Sequence, residues 1–207
     1  MVALSTAFCP PVEYFAILAG YSSVFLDSSE LYNKQSWRNR CRILSANGPL
    51  DLVVPVVHSS SRRITELKVE YVTPWVPKFK RAVSSAYDSS PFFEFYCDGL
   101  FSILDSRPET LWELNWQILG WLCGKIGTGM PAAGAPPSGR DTSGAGRTEY
   151  LDLREMIHPK RPNTILHDMG LEKPYWQVFR ERFGFTPGLS VLDLLFNEGP
   201  ESILWIK

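Results

Sequence analysis

The run Trp37-Arg38-Asn39-Arg40-Cys41-Arg42-Ile43-Leu44-Ser45, followed by Ala46-Asn47-Gly48 and then Asp51-Leu52-Val53-Val54-Pro55-Val56-Val57, decides how this chain is read. As a strand, the first run puts Trp37, Asn39, Cys41 and Ile43 on one face and Arg38, Arg40 and Arg42 on the other. Asn47-Gly48 is a hairpin turn signal. The run 51–57 is the returning strand, with Pro55 marking an edge position or a bulge. Upstream, Val12–Gly20 reads as a helix after Pro10-Pro11, and 23–28 as a buried strand. Downstream, 64–71 alternates as a further strand. Strands therefore gather in the first third of the chain.

The pattern then turns helical. Residues 77–88, 91–105 and 109–126 carry apolar side chains at helical spacing, punctuated by Pro91 and Pro108. The segment 127–147 is rich in Gly, Pro, Ala and Ser and reads as a flexible loop. A short element is expected at 149–156, helices near 174–184 and 189–197, and a terminal strand in Glu201–Lys207. Strands first and helices after predict an α+β fold: an N-terminal antiparallel or mixed sheet followed by a mainly helical half, in a single domain. With 207 residues, 44% of them hydrophobic, including 7 Trp, 8 Tyr and 12 Phe, the chain can bury a core without staples.

The balance of 21 basic and 22 acidic residues excludes a nucleic-acid coat, which needs a basic excess. It leaves room for one anionic ligand in a local basic pocket. The N-terminus lacks the basic region of a secretion signal, and no run of about 18 apolar residues occurs, so a cytoplasmic protein with no membrane span is expected. Cys9, Cys41, Cys97 and Cys123 form no CxxC pair, which points to free thiols and no metal site. No phosphate loop, dinucleotide fingerprint or nucleophile elbow is present, and no cofactor is expected.

Several runs resemble signature segments of the WbqC-like protein family: LSTAFCPPVEYF at 4–15, LYNKQSWRNRCRI at 31–43 with ANGPL and VPV after it, SSAYDSSPFFEFY at 84–96, LDLREMIHPK at 151–160, and PYWQVFRERFGFTPGLSVLDLLFNEGPES at 174–202. Members often carry a histidine where this chain has Phe79. The family is named from O-antigen gene clusters. The resemblance implies a tailoring enzyme that transfers an acyl or aminoacyl group, forming an amide, to an amino-sugar or related metabolite.

Three groups of residues are candidates for that chemistry. Cys41, or an ordered water in its place, is the nucleophile of an acyl transfer and His158 the proton carrier; a thiolate needs a nearby His or cation to form. Read blandly, Cys41 beside Trp37 and Ile43 is a small buried hydrophobe, and His158 a turn residue. Asn33, Lys34, Gln35, Arg38, Asn39 and Arg40 suit a phosphate or carboxylate on a small-molecule or carrier-linked substrate. Against that stands a solvated strand face with acidic partners across the sheet. Glu13 as a base with Tyr14 beside it, and Lys160 as an anion contact, complete the set; Glu13 is equally a helix-start carboxylate. Two other functions compete: condensation or cyclisation of an amino-carbonyl intermediate by acid/base groups alone, and a non-catalytic binder of an anionic sugar or carrier.

Overall fold

A computed structural model of the protein describes residues 1–57, 60–135 and 150–207. Its central layer is a four-stranded, fully parallel sheet in the order β5-β2-β1-β6, formed by β1 (Val2–Leu4), β2 (Val24–Asp27), β5 (Ala132–Gly134) and β6 (Leu151–Asp152). Every residue of β1 and β2 is buried, as expected for parallel strands covered on both faces. Helix α1 (Val12–Gly20) makes the crossover between them, and all of its residues from Val12 to Leu18 are buried. A separate antiparallel hairpin joins β3 (Arg40–Ser45) to β4 (Gly48–Val53), in register Ser45 with Gly48 and Arg42 with Asp51. Gly48 closes the turn at φ +103°, a conformation open to glycine at little cost.

Three helices follow: α2 (Trp75–Tyr87), α3 (Phe93–Asp105) and α4 (Leu111–Ile126). Their bounds fall within two residues of the expected ones, because the 3.6-residue period and the two prolines mark them locally. Helix α4 opens on a capping box, in which the Thr110 hydroxyl accepts from Glu113 N–H and the Glu113 carboxylate accepts from Thr110 N–H. It closes at Gly127 with φ +86°. Short helices α5 (Ile165–Asp168) and α6 (Arg180–Phe183) precede α7 (Val191–Glu198) and a final 3-10 helix, Gly199–Trp205. One continuous core, from Val2 and Phe15 through Leu100 and Ile118 to Phe196, links sheet and helices.

The fold class is α+β as expected, with several elements corrected. Trp37–Asn39 is a 3-10 turn rather than the start of a strand. All three of its side chains are buried, so Arg38 does not share a face with Arg40 and Arg42. The turn is held by the Arg38 carbonyl, which accepts from Asn115 Nδ2 at 2.8 Å. From Arg40 onward the alternation holds: Cys41 and Ile43 are buried, Arg40 and Arg42 half-buried. Residues 64–71 make only isolated bridges, at Val69 and Lys68. Glu201–Lys207 is not a strand: Pro200 starts a 3-10 helix there. Only Arg180–Phe183 of 174–184 is helical, because the Gln177 side chain donates to the Thr186 carbonyl and accepts from its N–H, pinning a loop. Ala132–Gly134, within the expected flexible loop, is a strand beside β2; residues 136–147 of that loop lie outside the described ones.

Candidate functional site

Parallel strands all end on one edge of the sheet, and in open parallel sheets that carboxyl edge is where ligands bind. Here it gathers Ser5 and Thr6 after β1, Asp27 and Glu30 at and after β2, and Leu153, Arg154 and Glu155 after β6. A pocket of about 20 Å³ opens among Ser5, Thr6, Tyr14, Arg38, Glu155 and His158, with room for about one water molecule. It therefore fits the reacting end of a substrate rather than the body of one.

Arg38 organises the pocket. Its Nε and Nη2 donate to Glu30 Oε2 at 2.9 and 2.6 Å, and Nη2 also donates to Ser5 Oγ at 2.7 Å and Glu155 Oε1 at 3.0 Å. Glu30 accepts from Thr6 N–H at 2.8 Å, and burial raises its carboxyl pKa against the pull of Arg38. Tyr14 donates its hydroxyl to the Ser5 carbonyl at 2.8 Å; burial raises its pKa well above the usual value, so it is a fixed neutral donor. Arg154 bridges the strand ends by pairing with Asp27 and Asp152. Among the described residues Arg38 Nη1 makes no hydrogen bond, so both of its N–H groups are left to donate to a ligand.

His158 lies on the same pocket, in a tight turn closed by Arg161 N–H to the His158 carbonyl at 3.2 Å. Its Nδ1 accepts from Lys160 N–H at 3.2 Å, which assigns the proton of the neutral ring to Nε2. Partial burial first, then the Arg161 charge, holds the pKa below its ordinary value, while Glu155 pulls the other way. The ring is thus neutral at pH 7, with Nε2–H as a donor. Glu155 is half-exposed, at 49% for its side chain, and is oriented by Arg38 and by Arg161 at 3.7 Å.

The other expected residues are distributed around this pocket. Cys41 is fully buried beside Cys9 in the core and does not line the pocket that holds His158. Glu13 is 7% exposed; Asn163 Nδ2 donates to its Oε1 at 3.3 Å, its Oε2 has no hydrogen-bond partner, and burial raises its pKa. Arg40 and Arg42 both face Asp51 across the hairpin, as a solvated face with an acidic partner would. Asn39 donates to the Val54 carbonyl at 2.8 Å and serves the backbone. Asn33 and Lys34 line a second, larger cleft, and Gln35 accepts from Lys160 Nζ. Phe79 is buried and packs edge-on against Phe8 with ring centroids 5.4 Å apart.

Sequence reasoning did not name Ser5, Glu30, Arg154 and Glu155 around this pocket. Ser5, Arg154 and Glu155 stand inside the quoted signature runs, and the place of two of those runs after strand ends is the signal that could have found them. Among the described residues no group of three His, Cys, Asp or Glu side chains could hold a metal ion, and no helix is long and apolar enough to cross a membrane.

The chain is 26% identical over 211 aligned positions to the uncharacterized protein Rv1507c of Mycobacterium tuberculosis (strain ATCC 25618 / H37Rv), covering 91% of this chain and 89% of that one. No solved structure matches it. The sequence model of the WbqC-like protein family matches residues 6–204, so the strand-end loops that build the pocket fall almost wholly within the match, and the chain belongs to the WbqC-like protein family.

Proposed function

We propose that the protein is a cytoplasmic tailoring enzyme that transfers an acyl or aminoacyl group from an activated donor, a thioester or an ester, to the amine of a small metabolite such as an amino-sugar. The observation that carries the reading is that His158 and Glu155 line one pocket with Arg38, while Cys41 lies outside it. The amine therefore attacks the donor carbonyl directly. Its nitrogen forms the new C–N bond, and the bond from the carbonyl carbon to sulfur or oxygen breaks. Glu155 takes the amine proton and returns it to the departing thiolate or alkoxide. His158 Nε2–H, neutral throughout, hydrogen-bonds the carbonyl oxygen as it gains charge, and Arg38 Nη1 adds a positive charge nearby.

The test incubates the purified full-length protein with a bacterial small-molecule extract and seeks new amide-linked masses. Product formation is expected from the wild type and to fall about 100-fold or more in Glu155→Gln and in His158→Ala. Wild-type rates in both variants would remove the assignment. Condensation or cyclisation of an amino-carbonyl intermediate is the second reading, favoured by the same lack of a thiol at the pocket; it predicts products lighter by one water with no acyl gain.

A further inference from the structure

The pocket at His158 holds little more than one water, so the body of any substrate lies outside it. A cleft of about 470 Å³, in the size range of small-molecule sites, stands close by. It is lined by Tyr32, Asn33, Lys34, Arg62 and Leu67 among others. The segment that supplies Tyr32, Asn33 and Lys34 to the cleft continues into Ser36, Trp37 and Arg38 of the pocket. Lys34 and Ser36 are two positions apart in the chain, so their Cα atoms are at most about 7 Å apart. Gln35, between them, is in the left-handed region at φ +61° and is tied to Lys160, which fixes the crossing point.

The walls of the cleft are joined. Tyr32 N–H donates to the Arg62 carbonyl at 2.7 Å, and Ile64 N–H to the Glu30 carbonyl at 3.1 Å. Arg62 Nη2 donates to the Tyr32 carbonyl at 2.8 Å, which aims the guanidinium along the wall. Lys34 and Arg62 are both exposed, and among the described residues neither has a carboxylate within ion-pair distance. No acidic side chain lines the cleft among the described residues either. Two unpaired cations, one of them a guanidinium suited to bidentate contact, match a phosphate or diphosphate.

We propose that this cleft binds the phosphate or diphosphate tail of the substrate, with Lys34 and Arg62 as its anion contacts and the reactive end reaching the His158 pocket past Gln35. This rests on the proposed reaction site for its direction, and is tested without turnover. Inorganic pyrophosphate is titrated into the full-length protein at low salt by calorimetry. Saturable one-to-one binding is expected, weakened about tenfold or more by Lys34→Ala and by Arg62→Ala, restored by Lys34→Arg, and unchanged by His158→Ala. Absence of saturable binding, or binding that Lys34→Ala leaves intact, overturns the proposal; so does binding lost in His158→Ala alone, which would put the anion in the small pocket. Uridine diphosphate and 4′-phosphopantetheine, titrated in parallel, separate a nucleotide-linked from a carrier-linked substrate. The outcome is independent of whether Glu155 and His158 prove necessary for product formation.

Discussion

Two residues carry most of what the pocket does, and they differ in how they reach it. Arg38 is buried, with 6% of its side chain exposed, and faces Glu30 at 4%. A buried pair of this kind adds little net stability, but losing one partner strands the other's charge. Arg38→Ala is therefore expected to destabilise the fold by about 3–5 kcal/mol, read from denaturant unfolding. The double change Arg38→Met with Glu30→Leu should recover most of that loss, because no charge is then left buried. A cost below about 1 kcal/mol for Arg38→Ala would mean that water reaches Glu30 freely. At His158 the backbone sets the chemistry: the Lys160 N–H occupies Nδ1 and leaves the donor at Nε2. The tautomer could not be read from the sequence IHPK, since it depends on the turn that Arg161 closes.

At the scale of elements, what was legible is what is local. The helices α2, α3 and α4 were visible because their period and prolines lie within each segment. The hairpin was visible from alternation, and the burial of Cys41 and Ile43 followed from it. The parallel sheet was not. Strand β1 is three residues long at the chain start, β5 is Ala-Ala-Gly in a Gly- and Pro-rich stretch, and β6 is two residues; each exists through pairing with distant partners. Because the candidate pocket forms where these strands end, its composition stayed hidden while some of its members, Tyr14, Arg38 and His158, were named.

Helix α7 carries a prediction of its own. Asp193 is buried, accepting from Tyr175 at 2.7 Å and Gln177 at 2.9 Å, and burial pushes its pKa up to about 6. A carboxyl raised in the folded state contributes stability fully present below about pH 4, and that contribution is lost as pH rises through about 6. The loss is on the order of 3 kcal/mol. Stability measured from pH 4 to 7 should fall by about that much more in the wild type than in Asp193→Asn; parallel curves would show that Asp193 titrates normally.

For the whole molecule, the proposed reaction site at the carboxyl edge of the parallel sheet and the proposed anion cleft are joined by one chain segment, Tyr32 to Arg38. On the hairpin, Arg40 and Arg42 are paired to Asp51. The family match over residues 6–204 extends across both. The candidate thiol nucleophile belongs to the core: Cys41 is fully buried, among Trp37, Ile43 and the other side chains of the hydrophobic cluster. A thiol shut away from solvent and substrate in this way is a structural residue.

The central claim is that the chemistry belongs to the strand-end pocket and needs no thiol. The most direct measurement compares product formation from the metabolite extract by Cys41→Ala and His158→Ala in one assay, with melting curves confirming that each variant is folded. The account predicts that Cys41→Ala keeps wild-type rates and loses only about 1 kcal/mol of stability, while His158→Ala loses about 100-fold or more in rate. A folded Cys41→Ala protein that makes no product, beside an active His158→Ala, would contradict it.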